Sequence, residues 1–203
     1  MNSRAAESSK AKMISKVAFT LFLENGYEAT GIRAICKAAD AELPTLYYHF
    51  PSKKALLLSL AADLHNDYMA SVPPSILDVG GNPEKRLQEY FLFIMHYTMT
   101  HIPETRFFLR YALFPPAELR EEIHVFLQED QKRKDELMQS AMMACIRSGL
   151  VNHSIENAMA MYWKFCTNNT FDAIMTAWKP NDRELLSLWQ MFAHCQLSGQ
   201  RPR

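Results

Sequence analysis

Residues 14–52 carry three short apolar runs at helical spacing, and a turn signal follows each run. Gly26 supplies a left-handed residue after the first run, Asp40 lies in the turn after the second, and Pro51 stops the third. Helices this short are unstable alone, so they have to pack against one another. The pattern predicts a compact three-helix group whose second and third helices form a helix-turn-helix.

Helix signals continue to the end of the chain, and only 6 glycines interrupt 203 residues. The sequence therefore predicts an all-α fold of about nine helices. The first four helices are predicted to start near Ser8 or Ser9, at Thr30, at Glu42 or Leu43, and after a cap at Ser52. Pro44 then lies in the first turn of the third helix. Beyond a loop bracketed by Val72–Pro74 and Gly80–Pro83, helices are predicted at 83–101, 117–148, 154–178 and 182–197, with a short segment around Phe107 and a frayed tail at 200–203.

Composition is that of a globular protein, with 48% hydrophobic and 22% charged residues. No apolar run reaches the roughly 18–20 residues that a membrane span requires. The N-terminal residues lack the apolar core of a secretory signal, and the four cysteines form no CxxC pair. We therefore expect a cytoplasmic protein with reduced cysteines and no membrane partner.

Charge is divided unevenly along a chain whose net charge is zero. Residues 1–60 hold eight basic and five acidic residues, a net charge of +3, which leaves −3 for the remainder. A basic N-terminal part suits a protein that presents one end to phosphate, although chance segregation of a few charges is an alternative. Arg4, Lys10 and Lys12 either form an arm along DNA or stay solvated.

The segment Thr45–Lys53 places hydroxyl, aromatic and basic side chains on one short helix and its exit. Tyr47 and Lys53 lie one turn and a bend apart, where a phenol and an ammonium group can both reach phosphate oxygens. Simple packing is the alternative for Tyr47. The segment predicts that double-stranded DNA is a partner, with the short helix in the major groove.

The block from Ile14 to Leu58 resembles the DNA-binding domain of the TetR family of transcriptional regulators. The resemblance lies in Ala18-x-x-Leu21-Phe22, Asn25-Gly26-Tyr27, Thr30-x-Ile32-Arg33-x-Ile35, Ala38-Ala39 and Leu46-Tyr47-x-x-Phe50-x-x-Lys53-x-x-Leu56. It implies a helix-turn-helix domain at 1–52, continuous with a helical ligand-binding and dimerisation domain at 53–203. The residues expected to bind DNA are Thr30, Arg33, Leu43, Pro44, Thr45, Tyr47, Tyr48, His49 and Lys53.

Two positions depart from the family pattern. Asp40-Ala41 stands where the family often has Gly-Val, so the turn has to be made by an aspartate, which tolerates a left-handed backbone better than most residues. Leu43 stands where a polar reader of bases is common, and a leucine side chain can press on a thymine methyl group instead. Arg33 either reads a guanine or is a solvated surface arginine.

The C-terminal helices are apolar on two sides, and the family resemblance implies that the last two form the interface of a homodimer. Central helices supply aromatic and methionine side chains suited to an apolar effector pocket, with core packing as the alternative for each residue. The candidate pocket residues are Phe91, Ile94, Met95, Thr98, His101, Phe107, Phe108, Tyr111, Met138, Met142, Trp163, Cys166 and Asn169. The charged run from Gln128 to Glu136 is interpreted as a solvated helix face.

These features predict a ligand-responsive transcriptional regulator, a repressor that binds a palindromic operator as a homodimer and is released by a small apolar effector. The alternative is a DNA-binding or protein-interaction module without a ligand. An enzyme is not expected, because the sequence shows no nucleophile with a base, no paired carboxylates and no phosphate-binding glycine loop. The histidines follow no metal-binding spacing, so neither a metal nor a cofactor is expected.

Overall fold

A computed structural model describes residues 2–78 and 80–196, with the backbone alone for residues 2–8 and 196. Within these ranges the chain forms ten α-helices and no strand, which confirms the predicted all-α fold. The helices are α1 Asn2–Asn25, α2 Ile32–Ala38, α3 Leu43–His49, α4 Lys53–Ala70, α5 Pro74–Leu77, α6 Pro83–Thr100, α7 Ile102–Leu113, α8 Arg120–Arg147, α9 Ile155–Met175 and α10 Asp182–Gln196. A single 3-10 turn, Ala117–Leu119, precedes α8.

The chain divides into two compact units. The first unit comprises the chain up to Asp67 together with Arg106–Leu127, and the second comprises Tyr68–Thr105 and the described chain from Gln128 onward. Helices α4, α7 and α8 therefore have residues in both units. The predicted boundary after residue 52 does not coincide with this division, and it stays a prediction about function.

In the first unit, α1 provides the centre of the hydrophobic core. Ile14, Ala18 and Phe22 are fully buried at helical spacing and share one cluster with Leu46 of α3. Phe107 of α7 belongs to the same cluster and stacks on Phe19, with ring centroids 5.1 Å apart. Burial of apolar area at about 25 cal/mol per Å² makes this shared core the main force that holds α1, α3 and α7 together.

The turn signals of the first unit form as predicted, except at two helix starts. Gly26 has a φ of 84° and closes α1, Asp40 has a φ of 47°, and Ser52 Oγ accepts a hydrogen bond from the backbone of Ala55 at 3.0 Å. However, α1 begins at Asn2 rather than near Ser8 or Ser9, because the preceding residues tolerate a helix. Gly31 rather than Thr30 is the N-cap of α2.

In the second unit, α6 packs against α5, α9 and α10 and is covered on most sides, as its apolar sequence predicts. Asn82 caps α6 by accepting a hydrogen bond from the backbone of Lys85, and Ser154 caps α9 in the same way through Asn157. The fully buried Tyr162 of α9 donates a hydrogen bond from its hydroxyl group to Leu87 O at 2.8 Å. The core of this unit is therefore centred on α6 and α9.

Four predicted boundaries in the C-terminal part need correction. The loop before α6 contains the one-turn helix α5, and the segment around Phe107 is a full helix, because Pro103 lies in the first turn of α7, where it is tolerated. The long helix begins at Arg120 after a 3-10 turn, and α9 ends at Met175 instead of 178. The predicted end at Leu197 and the tail at 200–203 lie outside the described residues.

Candidate DNA-binding surface

Helix α3 has one buried side and one open side. Leu46 is fully buried in the core of the first unit, whereas Leu43, Tyr47 and Tyr48 are 38%, 46% and 74% exposed. Large apolar and aromatic side chains are seldom left this exposed on one short helix without a binding role. Pro44 lies in the first turn of α3 and is exposed. The helix begins without a side-chain cap, since no side-chain hydrogen bond is made at its N-cap position.

Neighbouring predicted residues face different surroundings. Arg33 is exposed and makes no hydrogen bond or ion pair within the described residues. Thr45 is half-buried and lines an open groove with Lys10 and Lys37, where the Lys10 ammonium group donates to Asp40 O at 3.1 Å. His49 is half-buried and lines a second groove that also contains Lys12. The side chain of Arg4 lies outside the described part of the structure.

Thr30 does not join this surface. Its side chain is 3% exposed, and its hydroxyl group donates to Gly26 O at 2.7 Å and lies 3.1 Å from Leu21 O. A threonine whose hydroxyl group is engaged inside the protein cannot also donate to DNA in this conformation. Thr30 thus secures the turn that joins α1 to α2, and its role in DNA binding stays a prediction.

Lys53 is held against Tyr27 at the start of α4. Its ammonium nitrogen donates to Tyr27 O at 2.9 Å and lies 4.1 Å from the centroid of the Tyr27 ring. The side chain is half-buried, so the ammonium group is fixed at one point of the surface. A fixed cation of this kind is suited to contact a phosphate group.

Three polar contacts from the segment Arg106–Leu127 reach the end of α1, and the sequence did not indicate them. Arg110 Nη1 donates to Leu23 O at 2.9 Å, the Tyr111 hydroxyl group donates to Phe22 O at 3.1 Å, and the Tyr27 hydroxyl group donates to Glu118 Oε1. We call Arg110, Tyr111 and Glu118 the α1 clamp. Burial and the adjacent Glu118 carboxylate raise the pKa of Tyr27 well above its ordinary value, so its hydroxyl group stays a donor.

A fourth contact ties the same segment to α4. Lys54 and Glu122 form an ion pair at the surface of the first unit, and this hydrogen bond lowers the pKa of the Glu122 carboxyl group. An ion pair between exposed side chains contributes little to stability. The pair joins the first turn of α8 to the start of α4 within this unit.

The predicted pocket residues are divided between the two compact units. Phe107, Phe108 and Tyr111 belong to the first unit, where they line an apolar cavity of about 30 Å³ together with Leu57, Ile123 and other side chains of α4 and α8. The remaining ten predicted residues belong to the second unit. A cavity of this size and lining stays dry and has room for only a few atoms.

Most of the ten residues in the second unit are engaged in packing. Five of them are buried in its core cluster, and Thr98 is also buried. The Trp163 ring nitrogen donates to Asp135, Asn169 donates to Phe165 O at 2.7 Å, and His101 stacks on Tyr97. The five core residues are Phe91, Met95, Met138, Met142 and Cys166, and Ile94 packs against them while half-buried. These side chains are packed as the core-packing alternative expects, and their part in an effector pocket stays a prediction.

The second unit also contains a buried carboxylate, that of Asp130, which the sequence did not indicate. Asp130 is 6% exposed and pairs with Lys134 at 2.6 Å, and the Lys134 ammonium group lies 5.4 Å from the centroid of the Tyr68 ring. The Tyr68 hydroxyl group in turn donates to the Tyr90 hydroxyl group at 3.1 Å, and burial raises the pKa of both phenols. The charged run in α8 is therefore partly internal, which corrects its interpretation as a wholly solvated face.

The last two helices leave several large apolar side chains exposed. Phe171 and Met175 of α9 are 41% and 65% exposed, and Leu186 and Met191 of α10 are 38% and 65% exposed. The opposite sides of the same helices are buried, for example at Tyr162. Apolar residues therefore occur on two sides of both helices.

The described part of the chain contains no group of three or more histidine, cysteine, aspartate or glutamate side chains placed to bind a metal ion. Among the same residues, no helix combines the length and the apolar character that crossing a membrane requires.

Comparison with known proteins identifies the N-terminal part of the first unit. Residues 14–60 match the family model for bacterial regulatory proteins of the tetR family. The match covers the C-terminal part of α1, the helix-turn-helix and the first turns of α4. Residues 14–60 are thus a DNA-binding domain of the TetR family type. The family and its named relatives are regulators and not enzymes.

Two of the curated relatives of this chain are named as transcriptional repressors. The chain is 38% identical over 85 residues to the repressor KstR of Rhodococcus jostii. These residues cover 41% of this chain and 38% of KstR. The chain is also 31% identical over 75 residues to the repressor DhaR of a Mycobacterium species, covering 37% of this chain and 38% of DhaR. The chain thus spans less than two thirds of the length of the curated relatives it matches.

Solved structures of other regulators extend the likeness of the fold over nearly the whole chain. The flavonoid-responsive regulator FrrA gives a TM-score of 0.73 at 18% identity, covering 93% of this chain and 95% of FrrA. The regulator FadR of Bacillus subtilis, in complex with stearoyl-CoA, gives a TM-score of 0.70 at 18% identity, covering 94% of this chain and 99% of FadR. At these identities the likeness concerns the fold alone.

Proposed function

We propose that this protein is a transcriptional regulator that binds operator DNA through α3. The observation that carries the proposal is the exposed row of Leu43, Tyr47 and Tyr48 on a helix whose other side, at Leu46, is fully buried. A helix held in this way can enter a major groove without losing its place in the core. The match of residues 14–60 to the TetR family model supports the same role.

The side chains of the surface divide into two roles. Tyr47 and Lys53 contact phosphate oxygens, which orients the protein on the duplex without reading sequence. Leu43 and Arg33 contact base edges, a thymine methyl group for the leucine and a guanine for the arginine. A bidentate pair between arginine and guanine is worth about 1–3 kcal/mol of discrimination. Pro44, Thr45, Tyr48 and His49 complete the proposed surface.

The operator is a palindrome bound by a homodimer. One short helix in one groove contacts too few bases for specific binding, so the two copies of α3 bind half-sites roughly 34–36 Å apart. The exposed apolar side chains of α9 and α10 support an interface made by these two helices, since such side chains are covered in stable assemblies. The relatives named as repressors favour repression over activation.

The effector is a small, largely apolar molecule that lowers the affinity for DNA. The apolar cavity of the first unit supports this, because Phe107 and Tyr111 line it and also contact α1. Because the cavity measures only about 30 Å³, a ligand has to enlarge it in order to enter. Binding therefore favours a conformation in which the contacts of Phe107 and Tyr111 with α1 are changed. The complex of FadR with stearoyl-CoA makes a long acyl chain the first effector to test, with free coenzyme A as the matched control.

A second function is supported by a specific observation. The predicted pocket residues of the second unit are packed in its core, as at Phe91 and Met142, which are fully buried. A body filled in this way suits a DNA-binding protein without an effector. Stearoyl-CoA that leaves both the melting temperature and the DNA affinity unchanged would favour this alternative.

DNA binding itself is tested by titrating a fluorescent random-sequence duplex at about 50 mM and about 200 mM salt. We expect binding that weakens steeply over this range, because each neutralised phosphate releases counterions. The double variant Tyr47→Phe, Lys53→Met should bind more weakly and with a smaller salt dependence. A wild-type protein that binds no duplex even at the lower salt concentration would refute the proposed function.

A further inference from the structure

The α1 clamp joins residues that lie far apart in the sequence but in the same compact unit. Arg110 and Tyr111 belong to α7 and Glu118 to the 3-10 turn before α8, some ninety positions after the carbonyl groups and phenol that they bind. The three clamp residues therefore lie outside residues 14–60, the part of the chain that the family model describes.

The clamp binds carbonyl groups at the C-terminal end of α1, where the helix cannot supply hydrogen-bond donors itself. The last four carbonyl groups of an α-helix have no partner within the helix. Here Phe22 O accepts from the Tyr111 hydroxyl group and from Gly26 N, and Leu23 O accepts from the Arg110 guanidinium group. A cation at this end also interacts favourably with the helix dipole.

Gly26 shows how closely the arginine is packed against this turn. A Cβ atom added there would lie 2.6 Å from Arg110 Nη2, and the φ of 84° already favours glycine. The guanidinium group thus occupies the space that a side chain at position 26 would need. Any residue other than glycine at this position would displace it.

The end of α1 is in turn connected to the DNA-binding surface. Ile14, Ala18 and Phe22 of α1 share a core with Ile35 of α2 and Leu46 of α3, so a shift of α1 moves both helices. Tyr27 forms a second connection, since its carbonyl group and ring hold Lys53 while its hydroxyl group donates to Glu118. The clamp thus reaches both the recognition helix and the phosphate anchor.

We propose that Arg110, Tyr111 and Glu118 are positioning residues for DNA binding, which set the operator affinity by fixing the C-terminal end of α1. This inference rests on the proposed function, because it concerns how the same DNA-binding surface is regulated. A change that loosens α7 from α1 lowers the affinity without removing any contact to DNA. The segment Arg106–Leu127 is then the route by which an effector in the adjacent cavity acts on α3.

The test compares Tyr111→Phe and Arg110→Met with Arg106→Met. Arg106 is an exposed arginine of the same helix and forms no hydrogen bond or ion pair with the described residues of α1. Each protein is titrated with the duplex that the wild type enriches from a random pool. We expect Tyr111→Phe and Arg110→Met to bind about 3- to 10-fold more weakly, the effect of one lost hydrogen bond. Arg106→Met should bind like the wild type.

Two further readouts separate positioning from the alternatives. The dependence of affinity on salt should be unchanged in the clamp variants, because no phosphate contact is lost, whereas Lys53→Met should reduce it. Hydrogen exchange at the Gly26 amide, which donates to Phe22 O, should become faster in the clamp variants. Equal affinities in all three variants would overturn the inference while leaving the proposed function intact. A wild type that binds no DNA would overturn both.

Discussion

Leu46 and Tyr47 are adjacent in α3, and their side chains serve different parts of the molecule. Leu46 is fully buried and holds α3 in the core of the first unit, while nearly half of the Tyr47 side chain is exposed. A change at Leu46 would therefore act on stability, since truncating a buried leucine costs about 2–5 kcal/mol. A change at Tyr47 tests DNA contact with little effect on folding.

Tyr47→Phe should weaken binding to every duplex by a similar factor. The variant removes a single hydroxyl group, and a hydrogen bond to a charged phosphate group is worth about 1.5–3 kcal/mol, so a loss of about 10-fold or more is expected. Titration against the selected duplex and an unrelated duplex measures this. Leu43→Ala is the comparison, because it should change the preferred sequence instead. Unchanged affinity in Tyr47→Phe would mean that the residue is not an anchor.

The stability of the protein should fall at alkaline pH, and Tyr111 should contribute to the fall. Burial raises the pKa of Tyr111 from 10.0 to about 12, although the adjacent Arg110 lowers it slightly. The unfolded chain then loses this proton first, so the contribution is fully present below pH 10 and is lost as the pH rises through 12.

Tyr111→Phe removes this pH dependence. Between about pH 8 and pH 11 the wild type should therefore lose about 1 kcal/mol of unfolding free energy relative to the variant. Guanidinium unfolding of both proteins across this range is the measurement. A difference between the two proteins that stays constant with pH would show that the phenol of Tyr111 titrates normally in the folded state.

At single positions the sequence indicated exposure and side-chain chemistry, but not partners across the fold. The exposure of Tyr47 follows from its place one residue after the buried Leu46, about 100° further around the helix axis. The burial of Thr30 could not be predicted, because its hydroxyl group binds Gly26 O across a turn that the sequence does not specify in detail. The partner of Tyr27, Glu118, lies too far along the chain for any local pattern to indicate.

Helix ends were predictable wherever a specific residue type makes the cap. Gly149 has a φ of 75° and closes α8, and Asn181 exchanges hydrogen bonds with Glu184 at the start of α10. The end of α9 was misplaced because Ala177, with a φ of 55°, adopts a conformation that usually requires glycine. Helix α5 was missed because four residues are too few to show a period.

Ala177→Gly should stabilise the protein by about 0.5–1 kcal/mol. Glycine adopts a left-handed backbone without the steric penalty of alanine, and this gain exceeds its larger loss of chain entropy. Urea unfolding measures the change. Ala160→Gly is the matched control, since Ala160 is exposed in the right-handed interior of the same helix. It should destabilise the protein by about 1 kcal/mol. Two changes of the same sign would contradict the assigned end of α9.

The charged run of α8 illustrates why an element's surroundings escape prediction. Asp130 and Lys134 are four residues apart, as in many exposed helical ion pairs. Their burial depends on the ring of Tyr68, which belongs to the end of α4 and lies far away in the sequence. The helix itself was predictable, whereas the burial of one side of it was not.

For the whole molecule, the sequence indicated the fold class but not which helices belong to each compact unit. The segment Arg106–Leu127 belongs with the N-terminal helices. Because α7 reaches α1 through contacts between distant residues, such as Tyr111 with Phe22, no local pattern could reveal this. The predicted pocket was divided between units for the same reason.

Met191→Glu should weaken the proposed dimer. Met191 is 65% exposed on α10, and a carboxylate placed there would have to lose its hydration in an interface. We expect the dimer dissociation constant to rise at least about 10-fold, as measured by sedimentation velocity. Met13→Glu is the matched control, because Met13 of α1 is 51% exposed in the other unit. A dimer that is equally stable in both variants would exclude this part of α10 from the interface.

The most direct test is selection of bound duplexes from a random pool by the wild-type protein, followed by sequencing, at a fixed salt concentration. A homodimer with two copies of α3 should enrich a palindrome whose half-sites lie about one helical turn, or a multiple of it, apart. Enrichment of no sequence, together with absence of binding at low salt, would contradict the account of this chain as an operator-binding regulator.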